Sequence, residues 1–183
     1  MEKSEILNDL AAVFRWTARL DMHEGIANHF SVCSSDNDGF FINKSGSHFS
    51  QIKASDLIHV NNNNYNQLKD KPEIVDPTAL NIHGEIHKKV PHAKCILHAH
   101  SKYATALSTL KNPFLPPIDQ NTMRFFNRVA FYNDFGGLGF ENEAKKMSQS
   151  MGNYKIMMLA NHGIITSGET VAKAFDDLYY FEK

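Results

Sequence analysis

Apolar positions follow one spacing in some stretches and another in others. Between residues 4 and 20, Ile6, Leu7, Leu10, Phe14 and Thr17 fall at three- and four-residue steps, which is one face of a helix; Ser4 is suited to cap it. From residue 25 to 60 the pieces shorten. His29 to Cys33, Phe40 to Ile42 and Leu57 to Val60 are β-favouring, and Ser34-Ser35-Asp36-Asn37-Asp38-Gly39 and Lys44-Ser45-Gly46-Ser47 between them are turn chemistry. The run Asn61-Asn62-Asn63-Asn64 is low in complexity and is expected as a solvated loop. Helical spacing returns over residues 78 to 90, with Thr78 as cap, Ala79, Leu80, Ile82, His83, Ile86 and Val90 inside, and Pro91 as the stop.

Cys95-Ile96-Leu97-His98-Ala99-His100 predicts a buried strand that runs into a helix from Ser101 to about Leu110. Pro113, Pro116 and Pro117 interrupt the chain. A strand near Val129 to Tyr132, a turn at Gly136-Gly137 and a helix from about Glu141 to Met151 follow. Ile156 to Ala160 and Ile164 to Thr166 are apolar strand segments, and Ser167 opens a last helix with Val171, Ala174, Phe175 and Leu178 on its inner face. Strands alternating with helices, without repeat or linker, predict one α/β layered domain over residues 1–183. Phe181-Glu182-Lys183 stand in mid-pattern with no cap or breaker, which suits either a fraying helix end or a fragment.

Composition narrows the class. With 183 residues, 42% apolar and 21% charged, the chain matches globular averages, so disorder and coiled coil are out. The 19 Lys and Arg against 20 Asp and Glu leave no basic excess for nucleic acid. No apolar run approaches the roughly 20 residues of a membrane span. Met1-Glu2-Lys3-Ser4-Glu5 is followed by no signal-type apolar stretch, so a cytoplasmic location is expected. Cys33 and Cys95 make no framework and fit small core residues of a reduced protein.

Histidine is the unusual count, at ten. His98 and His100 are two apart on a strand, so both imidazoles share a face. A core gives such a pair few partners, and a divalent metal takes a lone pair from each; an ordinary hydrogen-bonded pair is the other reading. His162 stands where Met157-Met158-Leu159-Ala160 meets Gly163, after Asn161, at a strand end where α/β folds place ligand groups. Three neutral imidazoles with open positions suit a catalytic metal, zinc first, with manganese, cobalt or iron(II) as alternatives. His23, His48, His59 and His92 lie beside turns or on polar faces and are expected at the surface. His83 and His87, one turn apart, suit helix-to-sheet packing better than a metal. His29 is either a fold-holding hydrogen bonder or a pocket residue, and Asp119 and Gln120 are either pocket or turn residues.

Other proteins with such a histidine pair fit less well. Metallo-β-lactamases carry Asp where Lys102 stands, cupins are all-β, and amidohydrolase barrels are longer. The chain resembles the class II aldolase/adducin family from about Leu7 onward. The resemblance rests on Gly25-Ile26-Ala27-Asn28-His29-Phe30-Ser31-Val32, Lys44-Ser45-Gly46, His98-Ala99-His100-Ser101 with Tyr103-Ala104-Thr105-Ala106, Asn161-His162-Gly163, and Val171-Ala172-Lys173-Ala174-Phe175. It implies a three-layer α/β/α sandwich around a central, largely antiparallel mixed sheet. It also implies a homotetramer or other homo-oligomer, and a divalent metal, typically zinc, on His98, His100 and His162.

The activity implied is an aldolase-type lyase that cleaves or forms a carbon–carbon bond in a small hydroxy-carbonyl substrate through a metal-stabilised enediolate. Asn28, His29, Ser45 and Gly46 would bind substrate, and His29 is the candidate proton carrier. The departures are specific. Ala79 stands where the family's aldolases carry an acid/base Glu, and Ile26, His29 and Pro77-Thr78 replace parts of their phosphate grip. No Tyr falls between Tyr103 and Tyr132, where those enzymes place a proton donor. Asn28-His29 looks more like the adducin branch. A non-catalytic adducin-like assembly module, or an isomerase using the same chemistry, are the alternatives. No nucleic acid or membrane partner is expected.

Overall fold

The computed structural model describes residues 2–134 and 141–183. Seven strands form one sheet in the order β3-β2-β1-β4-β7-β6-β5. They are β1 (His29–Cys33), β2 (Phe40–Ile42), β3 (Ile58–Val60), β4 (Cys95–Ala99), β5 (Val129–Tyr132), β6 (Ile156–Leu159) and β7 (Gly163–Gly168). Every neighbouring pair is antiparallel except β5 and β6, which run parallel. The largely antiparallel mixed sheet is therefore as expected.

Strand alternation sorts the side chains between two helical layers. Cys95, Leu97 and Ala99 of β4 join Phe30 and Val32 of β1 in a cluster with α1 (Lys3–Arg19), α4 (Lys102–Ser108) and α6 (Val171–Glu182). On the opposite face, Ile96, Met157, Leu159 and Ile165 pack against Ile82 and Ile86 of α3 (Pro77–Lys89) and Met147 of α5 (Glu141–Met151). Burying each of these Leu, Ile, Phe or Met side chains contributes about 1.5–3 kcal/mol. His29, Ser31 and His98 hold the alternate positions, so they face the α3 layer. The three-layer sandwich is the observed architecture.

The helix starts differ from expectation. Glu2, not Ser4, caps α1, with its N–H donating to the Glu5 carboxylate at 3.0 Å. Asp76, not Thr78, caps α3 and accepts from the N–H groups of Thr78 (2.8 Å) and Ala79 (3.1 Å). Thr170, not Ser167, caps α6, while Ser167 stays in β7. α1 and α3 thus have their caps two residues earlier than expected, and α6 has its cap three residues later, because β7 runs on through Gly168 before the helix begins. The Asn run is a turn with Asn62 and Asn63 exposed, as expected, and leads into a short helix, α2 (Tyr65–Lys69). The turn expected at Gly136-Gly137 lies outside the described residues. No helix among the described residues is long and apolar enough to cross a membrane.

Candidate metal centre

His98 is the next-to-last residue of β4, and His100 follows two residues later, just past the strand end. His162 arrives on the turn between β6 and β7, whose register pairs Leu159 with Gly163. Asn161 takes the left-handed conformation there, at φ 56°, which Asn tolerates better than most residues. Gly163 is required by space: a Cβ on it would lie 2.6 Å from the Ala99 carbonyl oxygen and 3.1 Å from the His100 ring. β7 can thus run close beside β4, bringing His162 against the pair.

The three Nε2 atoms form a small triangle, with edges of 2.9 Å (His98–His100), 3.0 Å (His98–His162) and 2.8 Å (His100–His162). A triangle of that size has a point about 2 Å from all three corners, the length of a metal–imidazole bond. Groups behind the rings decide which nitrogens are bare. His98 Nδ1 donates to the Ile164 carbonyl at 3.1 Å, and His100 Nδ1 donates to Glu24 Oε2 at 2.5 Å. A neutral ring whose Nδ1 carries the hydrogen has a free lone pair on Nε2. At most one of the three close contacts can then be relieved by a hydrogen on His162, and elsewhere lone pair faces lone pair. A cation relieves all of them, so the residues present fit a divalent ion.

Electrostatics point the same way. Desolvation by burial, then the neighbouring rings of His29, His100 and His162, hold His98 well below the ordinary imidazole range. Desolvation and His100 lower His162 to about 4, against a smaller upward pull from Glu24. Both rings are therefore neutral near pH 7, the form that binds metal. A cavity of about 440 Å³ opens against His100 and His162, walled by Asp21, His23, Glu24, Lys102, Thr105 and Asn161. Among the described residues, the His98–His100–His162 group contains three imidazoles and no carboxylate. Ala79 packs instead among Phe40, Ile42 and Leu80.

The substrate positions expected from sequence are distributed unevenly. His29 pairs with His98 across β1 and β4, its ring centroid 4.7 Å from that of His98. Asn28 is buried, accepts from the Glu24 N–H at 2.7 Å, and has an Nδ2 without a partner among the described residues. Ser45 and Gly46 are not in the cavity wall; the Ser45 N–H binds the Ile74 carbonyl at 2.9 Å, tying their loop to the segment before α3. Asp119 is a turn residue, accepting from the Thr122 N–H at 2.7 Å. His23, expected at the surface, is half-buried and lines the cavity. Glu24 was not singled out by sequence, since a lone acid 76 residues before its histidine carries no spacing signal.

The family described as "Class II Aldolase and Adducin N-terminal domain" matches residues 8–183. The chain belongs to that family. This class II aldolase/adducin domain is 33% identical over 171 residues to the meiotically up-regulated gene 14 protein of Schizosaccharomyces pombe, covering 92% of this chain and 66% of that protein. It is 30% identical over 167 residues to decarboxylase NovR of Streptomyces niveus, covering 90% of this chain and 61% of that one. The chain thus spans about 61–66% of the length of these two relatives. Its fold is similar to that of L-fuculose 1-phosphate aldolase from Glaciozyma antarctica, with a TM-score of 0.83 at 27% identity over 98% of this chain and 70% of that one.

Proposed function

We propose that this domain is a divalent-metal-dependent lyase that makes or breaks a carbon–carbon bond in a small, unphosphorylated hydroxy-carbonyl or hydroxy-acid substrate. The supporting observation is the triangle of three Nε2 atoms beside a polar cavity. His98, His100 and His162 would hold the ion, zinc in the first instance. Manganese, cobalt or iron(II) are alternatives that metal analysis separates. When bound, it supplies Lewis acidity toward oxygens on which negative charge develops.

The chain's own residues do the rest. His29, buried against His98, carries the proton. Asn28 Nδ2, a donor without a partner among the described residues, orients the substrate. Lys102 and Asn161 on the cavity wall offer further polar contacts. Asp76 argues against a phosphate ester: its carboxylate already occupies the N–H groups that open α3, the kind of helix N-terminus that binds phosphate. Loss of a carboxylate as CO₂ is also carbon–carbon cleavage, and the name of decarboxylase NovR supports an acid as the substrate. A homo-oligomer in the reducing cytoplasm is the proposed setting.

The adducin-like assembly module is the second reading, favoured by Ala79 buried where an acid/base carboxylate would be needed. Titrating metal-stripped protein with Zn²⁺, then assaying short aldol-type substrates and chelating hydroxy acids, separates the two. One ion per chain with turnover or chelator binding is expected. One ion with neither supports the module. His98→Ala and His162→Ala should each abolish tight binding, and unchanged metal content in either variant refutes the assignment.

A further inference from the structure

Behind the triad, β1 and α3 interlock through buried polar side chains. His29 Nδ1 lies 2.7 Å from His83 Nε2; His83 Nδ1 meets Ser31 Oγ; Ser31 Oγ lies 2.7 Å from His87 Nε2; and His87 Nδ1 lies 2.7 Å from the Ala93 carbonyl oxygen. His83 and Ser31 are fully buried, and His29 nearly so.

The last member sets the direction of every hydrogen. A carbonyl oxygen only accepts, so His87 Nδ1 must carry the hydrogen; a bare nitrogen there would set two lone pairs against each other. Cys33 Sγ, 3.2 Å from the same nitrogen, is a weak second acceptor. With its Nδ1 protonated, a neutral His87 has a bare Nε2 that accepts the Ser31 hydroxyl hydrogen. Ser31 Oγ then accepts from His83 Nδ1, and the bare His83 Nε2 accepts from His29 Nδ1. His29 is left with a bare Nε2, which makes no hydrogen bond among the described residues. Burial keeps His83 and His87 neutral: it lowers His87 to about 4 and His83 well below its ordinary value. Among the described residues no carboxylate takes part in the line of bonds.

We infer that Ser31, His83 and His87 are positioning residues that hold His29 in its Nδ1–H tautomer, so that a bare Nε2 is offered beside the metal centre as a base. This rests on His29 as the proton carrier. In the step assigned to it, a substrate O–H bond breaks, its electron pair stays on oxygen and the hydrogen forms an Nε2–H bond. The resulting His29 cation is steadied by a charge-assisted hydrogen bond from Nδ1–H to His83. The same hydrogen returns to the product, so the rings end each cycle as they began.

Nitrogen-15 NMR of the imidazole rings distinguishes bare from protonated nitrogens and tests the lock directly, in zinc-loaded and zinc-free protein. His29, His83 and His87 should all show Nδ1–H and bare Nε2. An Nε2–H signature at His29 or His83 in the wild-type protein overturns the proposal. Ser31→Ala removes the link while leaving space, so Nε2–H forms should appear at His83 and His29 with zinc stoichiometry unchanged. Turnover should fall by about tenfold or more, within what a positioned acid–base group contributes. Ser31→Thr, which keeps a hydroxyl, should restore the wild-type tautomers. A Ser31→Ala protein with wild-type tautomers refutes the lock. The proton-carrier reading fails separately: His29→Asn with undiminished turnover would remove it while leaving the wild-type tautomer pattern standing.

Discussion

Gly163→Ala is the most informative single change, because it adds one methyl group where two of the histidine-bearing segments touch. The new Cβ would sit 2.6 Å from the Ala99 carbonyl oxygen and 3.1 Å from His100 Cδ2. An ordinary carbon–oxygen contact is about 3.3 Å, so β7 and the end of β4 must part by roughly 0.7 Å. The Ala99 oxygen is backbone and cannot rotate away. Such overpacking costs typically about 1–3 kcal/mol, which for a chain of this size is roughly 2–12 °C in Tm. The larger consequence concerns the triad. Ligand positions in a working site agree to about 0.2 Å, and a shift several times larger separates His162 from His98 and His100. Calorimetric titration with Zn²⁺, paired with thermal unfolding of the metal-free protein, should show a modest drop in Tm and at least a tenfold loss of affinity. Wild-type affinity together with wild-type Tm would mean that the close approach of β7 does not build the site.

Three further outcomes follow from the same geometry. Metal-free protein should lose stability as pH falls from about 6.5 to about 4, because over that window the unfolded chain binds protons that buried His29 and His87 refuse. The contribution of His29 is on the order of 3 kcal/mol, and urea unfolding that is flat across that range would contradict it. Glu24→Ala leaves His100 Nδ1 without its acceptor and should weaken zinc about 10- to 100-fold with the fold intact; unchanged affinity would show the contact to be incidental. Asp76→Ala should cost about 1 kcal/mol through loss of the α3 cap. It should also make turnover sensitive to inorganic phosphate, through the freed N–H groups of Thr78 and Ala79; insensitivity would remove the argument against phosphate esters.

Much of this arrangement was legible before the structure, and the reason is periodicity. The limits of β1 and β2 coincide with the expected pieces because each is a short apolar run between turn residues. The triad was legible because His98 and His100 sit at the strand repeat and His162 at a strand end beside glycine. The helix caps differ at all three sites: Ser, Thr and Asp satisfy the same residue-type rule, Glu2 falls outside it, and only the backbone path selects among them. Glu24 was invisible because a loop carboxylate has no period. His83 and His87 were assigned to packing against the sheet, which is where they lie. What sequence could not supply was the partner, since Ser31 is more than 50 residues from both.

The polar line between β1 and α3 also has a built-in length limit. Two residues of strand advance about 6.6–6.8 Å, while four residues of helix advance about 6.0 Å. His29, Ser31 and Cys33 therefore run ahead of His83 and His87 by more than half an ångström at each step. Hydrogen bonds tolerate a spread of only about 0.5 Å in length, so such a ladder falls out of step after its second rung. Here it gives way to a peptide oxygen at Ala93 and to the larger sulfur of Cys33, 3.2 Å from His87 Nδ1.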